Sequence, residues 1–264
     1  MTLTYPLPQD TRQTFEAAQY RCSNLSLLLD KYIGYKQDWK LQEEQKIELF
    51  KNIASNFRFE NNLIQHRYQR WEVMVKSFPH AKLFKASPEW RMVVGLGQTS
   101  ILETSMTLDR ITGIPIILGS ALKGLAASYA MLCVLEQSER LEAEKNETFK
   151  AIFGTQEQSG KVIFLDAVPV EVPTLEPDIM NNHYQEYYSD TTGNKAPTPY
   201  QNPVPVYFLT LGKKSQFAFA LAGQDKKLDT KGLVEQAELW LKGGLSEFGI
   251  GAKTSAGYGY MNLA

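Results

Sequence analysis

The hydrophobic period of this chain changes near residue 80, and that change restricts the fold more than any other feature. Before it, apolar residues recur at alternating three and four positions. Phe15, Ala18, Cys22, Leu25, Leu29 and Tyr32 make a first stripe, Ile47, Phe50, Ala54 and Phe57 a second, and Ile64, Tyr68, Trp71 and Val75 a third. This spacing follows the turn of an α-helix, with Gly34 and Pro79 as breakers at the outer limits. From about residue 82 short β-prone runs take over: Arg91–Leu96, Val162–Val168, Val204–Leu211 and Phe217–Leu221. Two helical stripes interrupt them, one from Leu122 to Cys133 and one from Leu233 to Phe248. If the Val204 and Phe217 runs form one bent strand or a hairpin, the order is strand, helix, strand, strand, helix, strand. The prediction is an α+β fold: a ferredoxin-like (RRM-like) βαββαβ core at residues 79–264, preceded by a helical region at 1–78.

Between the second and third core strands lies a long interruption, about 169–203, that contains Pro173, Pro177, Pro197, Pro199 and Pro203. A connection of this length without periodicity is usually functional or disordered. Thr191–Lys195 reads as mobile. Upstream, His183, Tyr184, Tyr187 and Tyr188 gather rings on which bases can stack, at about 1–3 kcal/mol each; anchoring the loop to the body is the competing use.

The segment Gly249-Ile250-Gly251-Ala252-Lys253-Thr254-Ser255-Ala256-Gly257-Tyr258-Gly259 combines four glycines with a cation and two hydroxyls. Glycines allow positive φ and close approach, while Lys253, Thr254 and Ser255 supply donors, so a phosphate or sugar-phosphate backbone is a natural ligand. A plain turn between a helix and a final strand is the competing reading. A P-loop does not fit, because Ala252 and Glu247 occupy its glycine positions. A Rossmann fingerprint is not expected either, since it needs a helix after its glycines and only five residues follow Gly259 here.

A second loop, Gly119-Ser120-Ala121-Leu122-Lys123-Gly124, opens the first helix of the β-rich part, with Ser120 as a natural N-cap. A capping box would place Glu or Gln where Lys123 stands. A cation in the first turn opposes the helix dipole by about 0.3–1 kcal/mol unless an anion sits nearby. Free N–H groups and Lys123 therefore suit phosphate, with a solvent-facing Lys123 as the competing reading. Two such loops in one α+β body suit a polyanion gripped by its backbone. Arg67, Arg70 and Lys76 face either nucleic acid or solvent.

The formal net charge of −1 confines any nucleic-acid surface to a local patch. Only Cys22 and Cys133 occur, and His66, His80 and His183 stand in unrelated contexts. No disulfide framework, metal site or cofactor is expected. No apolar run reaches the ~20 residues of a membrane span, and the start lacks a secretory pattern, so a cytoplasmic location is expected.

These residues resemble a family. Gly-Ile-Pro-Ile-Ile-Leu-Gly-Ser-Ala-Leu-Lys-Gly at 113–124, Phe153-Gly154, Gly-Lys-Val-Ile-Phe-Leu-Asp-Ala at 160–167 and the glycine-rich 249–259 look like a RAMP protein of a CRISPR effector. More closely they resemble the sixth-subunit group of the type III-B Cmr complex, within the Cas-seven-like group. His183-Tyr184, Tyr187-Tyr188 and Pro203-Val204-Pro205-Val206 look like that group's middle region. The resemblance spans about residues 90–262. It implies a non-catalytic structural subunit that binds guide RNA (crRNA) toward its 3′ end, caps the backbone filament and admits target RNA. Implied partners are crRNA, target RNA, the backbone RAMP subunit, the first RAMP subunit and the small helical subunit. The implied RNA-binding residues are Ser120, Lys123, Gly124, Gly249, Gly251, Lys253, Thr254, Ser255, Gly257, His183 and Tyr184, with a thumb-like insertion at about 169–203. Ala121 replaces a frequent serine and Leu118 a proline, which removes any donor role at 121 but neither the cation nor the helix start.

The rival from another class is a RAMP endoribonuclease, in which His183, Asp109 or Lys123 would serve general acid–base chemistry. His183 has no partner visible in the sequence, and Asp166, at the end of an apolar strand, is better suited to capping a turn.

Overall fold

The computed structural model describes residues 4–18, 21–35, 41–182, 184–198, 203–225 and 229–263. Along the chain run α1 (Gln9–Ala17), α2 (Leu25–Asp30), α3 (Glu43–Asn56), α4 (Asn61–Lys76), β1 (Lys82–Pro88), α5 (Gly119–Tyr129), α6 (Arg140–Ala143), α7 (Glu147–Phe153), β2 (Val162–Phe164), β3 (Val168–Pro169), β4 (Leu175–Asn182), α8 (Gln185–Tyr188), β5 (Val204–Leu211), β6 (Phe217–Gly223), α9 (Lys231–Glu247) and β7 (Met261–Leu263). A π-helical turn, Ala130–Val134, continues α5, and a 3₁₀ turn, Thr254–Ala256, precedes β7.

The main sheet has the order β2-β6-β1-β7 with antiparallel neighbours, and β3 also pairs with β6. β6 is buried along its whole length. Its sequence, Phe217-Ala218-Phe219-Ala220-Leu221-Ala222, alternates large and small, and successive side chains of a strand point to opposite faces. Phe217, Phe219 and Leu221 pack into one large apolar cluster with Leu122 of α5, Phe149 of α7 and Trp240 of α9. The alanines leave room on the other face for Trp71 and Val75 of α4. Helices thus cover both faces.

The first predicted stripe is two helices rather than one. Asn24 breaks it, its side chain accepting a hydrogen bond from the Leu27 N–H at 3.1 Å and so capping α2. In α3 the buried face carries Lys46, Phe50 and Ile53, one position round from the predicted stripe. Lys46 is tolerated there because its Nζ meets carboxylates of Glu43 and Glu103, each at 2.7 Å.

Three strand expectations need correction. Arg91–Leu96 forms no strand; it makes an isolated bridge at Met92–Leu211, and the first strand of the main sheet is Lys82–Pro88. Val162–Val168 breaks into β2 and β3 at Leu165–Ala167, where Asp166 turns toward the start of α5. Val204–Leu211 and Phe217–Gly223 are neither one strand nor a hairpin. β5 pairs with β4 in a separate two-stranded sheet, and β4 lies within the interruption.

The registers Pro88↔Met261, Ala86↔Phe217 and Pro169↔Phe217 put the exits of β1 and β3 and the entries of β6 and β7 at one end of the main sheet. The glycine-rich segment enters β7 there.

Candidate nucleic-acid interface

The glycine-rich segment is a folded turn closed on the chain that leaves β1. Ile250 N donates to Gly259 O at 2.9 Å, Ala252 N to Val93 O at 2.8 Å and Gly259 N to Arg91 O at 2.8 Å. Gly251 has φ of 99°, and a Cβ there would overlap the carbonyl of Val93, so this glycine serves the close approach of two backbones. Gly257, with φ of 88°, is exposed and has open space where a Cβ would stand. Ser255 is exposed and Thr254 half-buried. Lys253 takes the left-handed conformation, φ 62°, which costs a residue with a Cβ about 1–2 kcal/mol. Its Nζ lies 3.8 Å from the sulfur of Met180 and 5.8 Å from the ring centre of Phe208, and it has no carboxylate partner among the described residues.

A polar cluster locks this turn to the β4–β5 hairpin. Arg91 donates from Nε to Glu176 at 2.8 Å and from Nη1 to Asp178 at 2.5 Å, and the Tyr258 hydroxyl donates to Asp178 at 2.6 Å. Burial opposes ionisation of Asp178, but hydrogen bonds from Tyr258, the Ile179 N–H and Arg91 outweigh it and hold its carboxyl below the ordinary value. Burial and the adjacent carboxylate push the Tyr258 hydroxyl up to about 12.

At α5 the N-cap is Leu118, not Ser120, and its side chain makes no cap bond. The Gly119 N–H instead donates to Asp166 Oδ1 at 2.6 Å, so the helix start already carries an anion, and Asp166 does cap. A Cβ at Gly119 would overlap the Phe164 carbonyl, which ties the start of α5 to the end of β2. Ser120 and Gly124 are exposed, and a Cβ at Gly124 would meet nothing within 4 Å. Lys123 is half-buried, without a hydrogen bond or ion pair among the described residues; burial, then nearby Arg140, holds its ammonium below its ordinary value.

The two loops are anchored to different surroundings: Lys253 against the β4–β5 sheet, Lys123 toward Arg140. Tyr184, two positions after the last residue of β4, is half-buried, while His183 lies outside the described residues. Asp109 is poorly suited as a base. It accepts from the Ile111 N–H, and against the effect of burial the Arg67 guanidinium at 2.9 Å and the Thr112 hydroxyl and N–H hold its carboxyl well below the usual range. Among the described residues no group of three or more His, Cys, Asp or Glu is placed to hold a metal ion, and no helix is long and apolar enough to cross a membrane.

The structure adds residues that the sequence reading passed over. Lys213 and Lys214 are exposed in the turn entering β6 at this end of the sheet, and Trp90 and Arg91 lie beside the glycine-rich turn. The lysine doublet in a short gap between two β-prone runs was a usable signal; Trp90 had none.

The sequence model of the RAMP superfamily matches residues 91–262. The Cmr6 subunit of the Pyrococcus furiosus CRISPR system is 34% identical over 250 residues, covering 75% of this chain and 72% of that one. This chain belongs to the RAMP superfamily and, within it, to the Cmr6 family. The Cmr6 subunit of Saccharolobus solfataricus is 25% identical over 232 residues, covering 84% of this chain and 73% of that one. The fold is shared with a chain of the type III-B Cmr-beta complex bound to cognate target RNA, at a TM-score of 0.62, 23% identity, and coverage of 84% of this chain and 73% of that chain.

Proposed function

We propose that this chain is a non-catalytic, guide-RNA-binding structural subunit of a type III-B CRISPR RNA-targeting complex. It sits near the 3′ end of the crRNA, helps cap the backbone RAMP filament and admits target RNA. The observation that carries this reading is Lys253: a cation without a carboxylate partner among the described residues, held in the left-handed conformation on a turn that also exposes Ser255 and Gly257. Exposed Lys213 and Lys214 enlarge the positive charge at that end of the sheet, as a phosphate backbone requires. Lys123 and Gly124 extend the contact along α5. Because Asp166 occupies the helix start, Lys123 rather than the helix end supplies the attraction there.

The strand order β2-β6-β1-β7, with α5 between β1 and β2 and α9 between β6 and β7, supports a ferredoxin-like core. β4 then belongs to the thumb-like insertion at about 169–203, paired with β5 just beyond it, next to the guide–target duplex. The near-zero net charge favours weak RNA binding by the isolated chain and firm retention in an assembly, where several subunits share one RNA. The test compares the nucleic-acid and protein absorbance of the isolated chain and of the purified complex, for the natural chain, Lys253→Ala and Lys123→Ala. RNA-rich complexes that lose guide in both variants are expected. Unchanged guide retention in both variants would refute the loop contacts.

A further inference from the structure

Trp90 is the residue of this region that the packing explains least. It is 47% exposed, although indole is among the most costly side chains to leave in water. Its backbone is nevertheless fixed on both sides: Glu89 N donates to Tyr260 O and Gly259 N to Arg91 O, each at 2.8 Å. The ring is held as well, 4.9 Å from the Tyr258 ring and 5.0 Å from the Arg91 guanidinium carbon. Tyr258 is 6.1 Å from Phe208, whose ring centre is 5.8 Å from the Lys253 ammonium. A row of aromatic rings therefore runs from the Lys253 cation of the glycine-rich turn to an exposed indole at the surface. Glu176 and Asp178, the carboxylates that meet Arg91, are both engaged by its guanidinium, while Glu89, next to Trp90 in sequence, is exposed.

We propose that Trp90 is a stacking platform for an unpaired RNA base, with the adjoining phosphate directed toward Lys253. The proposal rests on the RNA-binding reading above and adds a contact to it. Stacking on a rigid aromatic ring is tolerant of base identity, so this contact holds the strand without reading its sequence. A half-exposed indole with the Arg91 guanidinium beside it suits a nucleobase better than an apolar protein helix, which would leave that guanidinium against its own surface.

The test uses the assembled complex containing this chain, with 5-iodouridine placed at successive positions of the guide in one series and of the target in another. After irradiation and trypsin digestion, the peptide Ala86–Arg91 is examined by mass spectrometry. An RNA adduct on Trp90 from one short stretch of RNA is expected, preserved in yield order by Trp90→Phe crosslinking at the same peptide and falling about tenfold in Trp90→Ala. No adduct from any guide or target position would overturn the proposal. If Lys253→Ala still releases guide in that case, the RNA-binding reading stands and only the platform fails; if it does not, both fail. If adducts are absent and Trp90→Ala instead loosens this chain from its neighbours after ribonuclease treatment, the indole is a protein contact and the proposal is equally overturned.

Discussion

Asp178→Ala removes the shared acceptor of Arg91 and Tyr258. Breaking a fully buried ion pair costs about 3–5 kcal/mol. Here the Arg91 and Asp178 side chains are 25% and 14% exposed, and Arg91 keeps its 2.8 Å contact with Glu176. Partial solvation and the surviving contact roughly halve the cost, to about 2 kcal/mol. For a chain of this size that lowers Tm by about 4–8 °C. Tyr258→Phe deletes one hydrogen bond to a charged acceptor and should cost about 1–2 kcal/mol. Because both changes remove the same bond, the double variant should be more stable than the sum predicts, by about 1 kcal/mol. Urea unfolding followed by near-ultraviolet circular dichroism of the natural chain, both single variants and the double variant gives the cycle. Additivity within about 0.3 kcal/mol would refute the claim that Asp178 and Tyr258 hold the hairpin and the glycine-rich turn together.

Asp166→Ala should cost about 1–2 kcal/mol by uncapping α5 and removing the charge that complements its dipole, read as a lower urea midpoint; an unchanged midpoint would show that the 2.6 Å contact at Gly119 is dispensable. The same cluster fixes a pH dependence. Tyr258 titrates higher in the folded chain than its ordinary value of 10.0, so its contribution is complete below that pH and is lost as pH rises toward about 12. Asp178 titrates lower than its ordinary value of 3.8, so its contribution is complete above it and is lost as pH falls through the lowered value. The stability difference between the natural chain and Tyr258→Phe should therefore be constant at neutral pH and shrink in strong alkali, and an alkaline difference equal to the neutral one would contradict this.

The third helical stripe and the Phe217 strand were legible because burial imposes their periods directly, whereas the first stripe spans two helices and the second is turned by one position. Ile64, Trp71 and Val75 do face the core, and the Phe/Ala alternation of β6 follows from helices on both faces. The first strand was hidden. Lys82–Pro88 carries lysines at 82 and 85 and ends in proline, with a lateral partner on each side supplied by residues far away in sequence. Met92-Val93-Val94 looked more strand-like, but its apolar side chains are buried under the glycine-rich turn and beside Leu211 instead of in the main sheet. β4 could not be read from its residues: Glu176, Pro177, Asp178 and Asn181 are poor strand formers, and the full ladder to β5 holds them extended. At the candidate interface the glycines and lysines were visible as types and spacing. The tie from Tyr258 and Arg91 to Asp178 was not, since it joins residues 80 and 87 positions apart.

The most direct test of a backbone grip is the salt dependence of guide retention. Guide-loaded complex containing the natural chain, Lys253→Ala or Lys123→Ala is titrated with salt, and the logarithm of the binding constant is followed against the logarithm of salt concentration. Each lost phosphate contact should reduce the slope by about 1, equally for guides of unrelated sequence. Slopes identical to that of the natural chain in both variants would contradict the account.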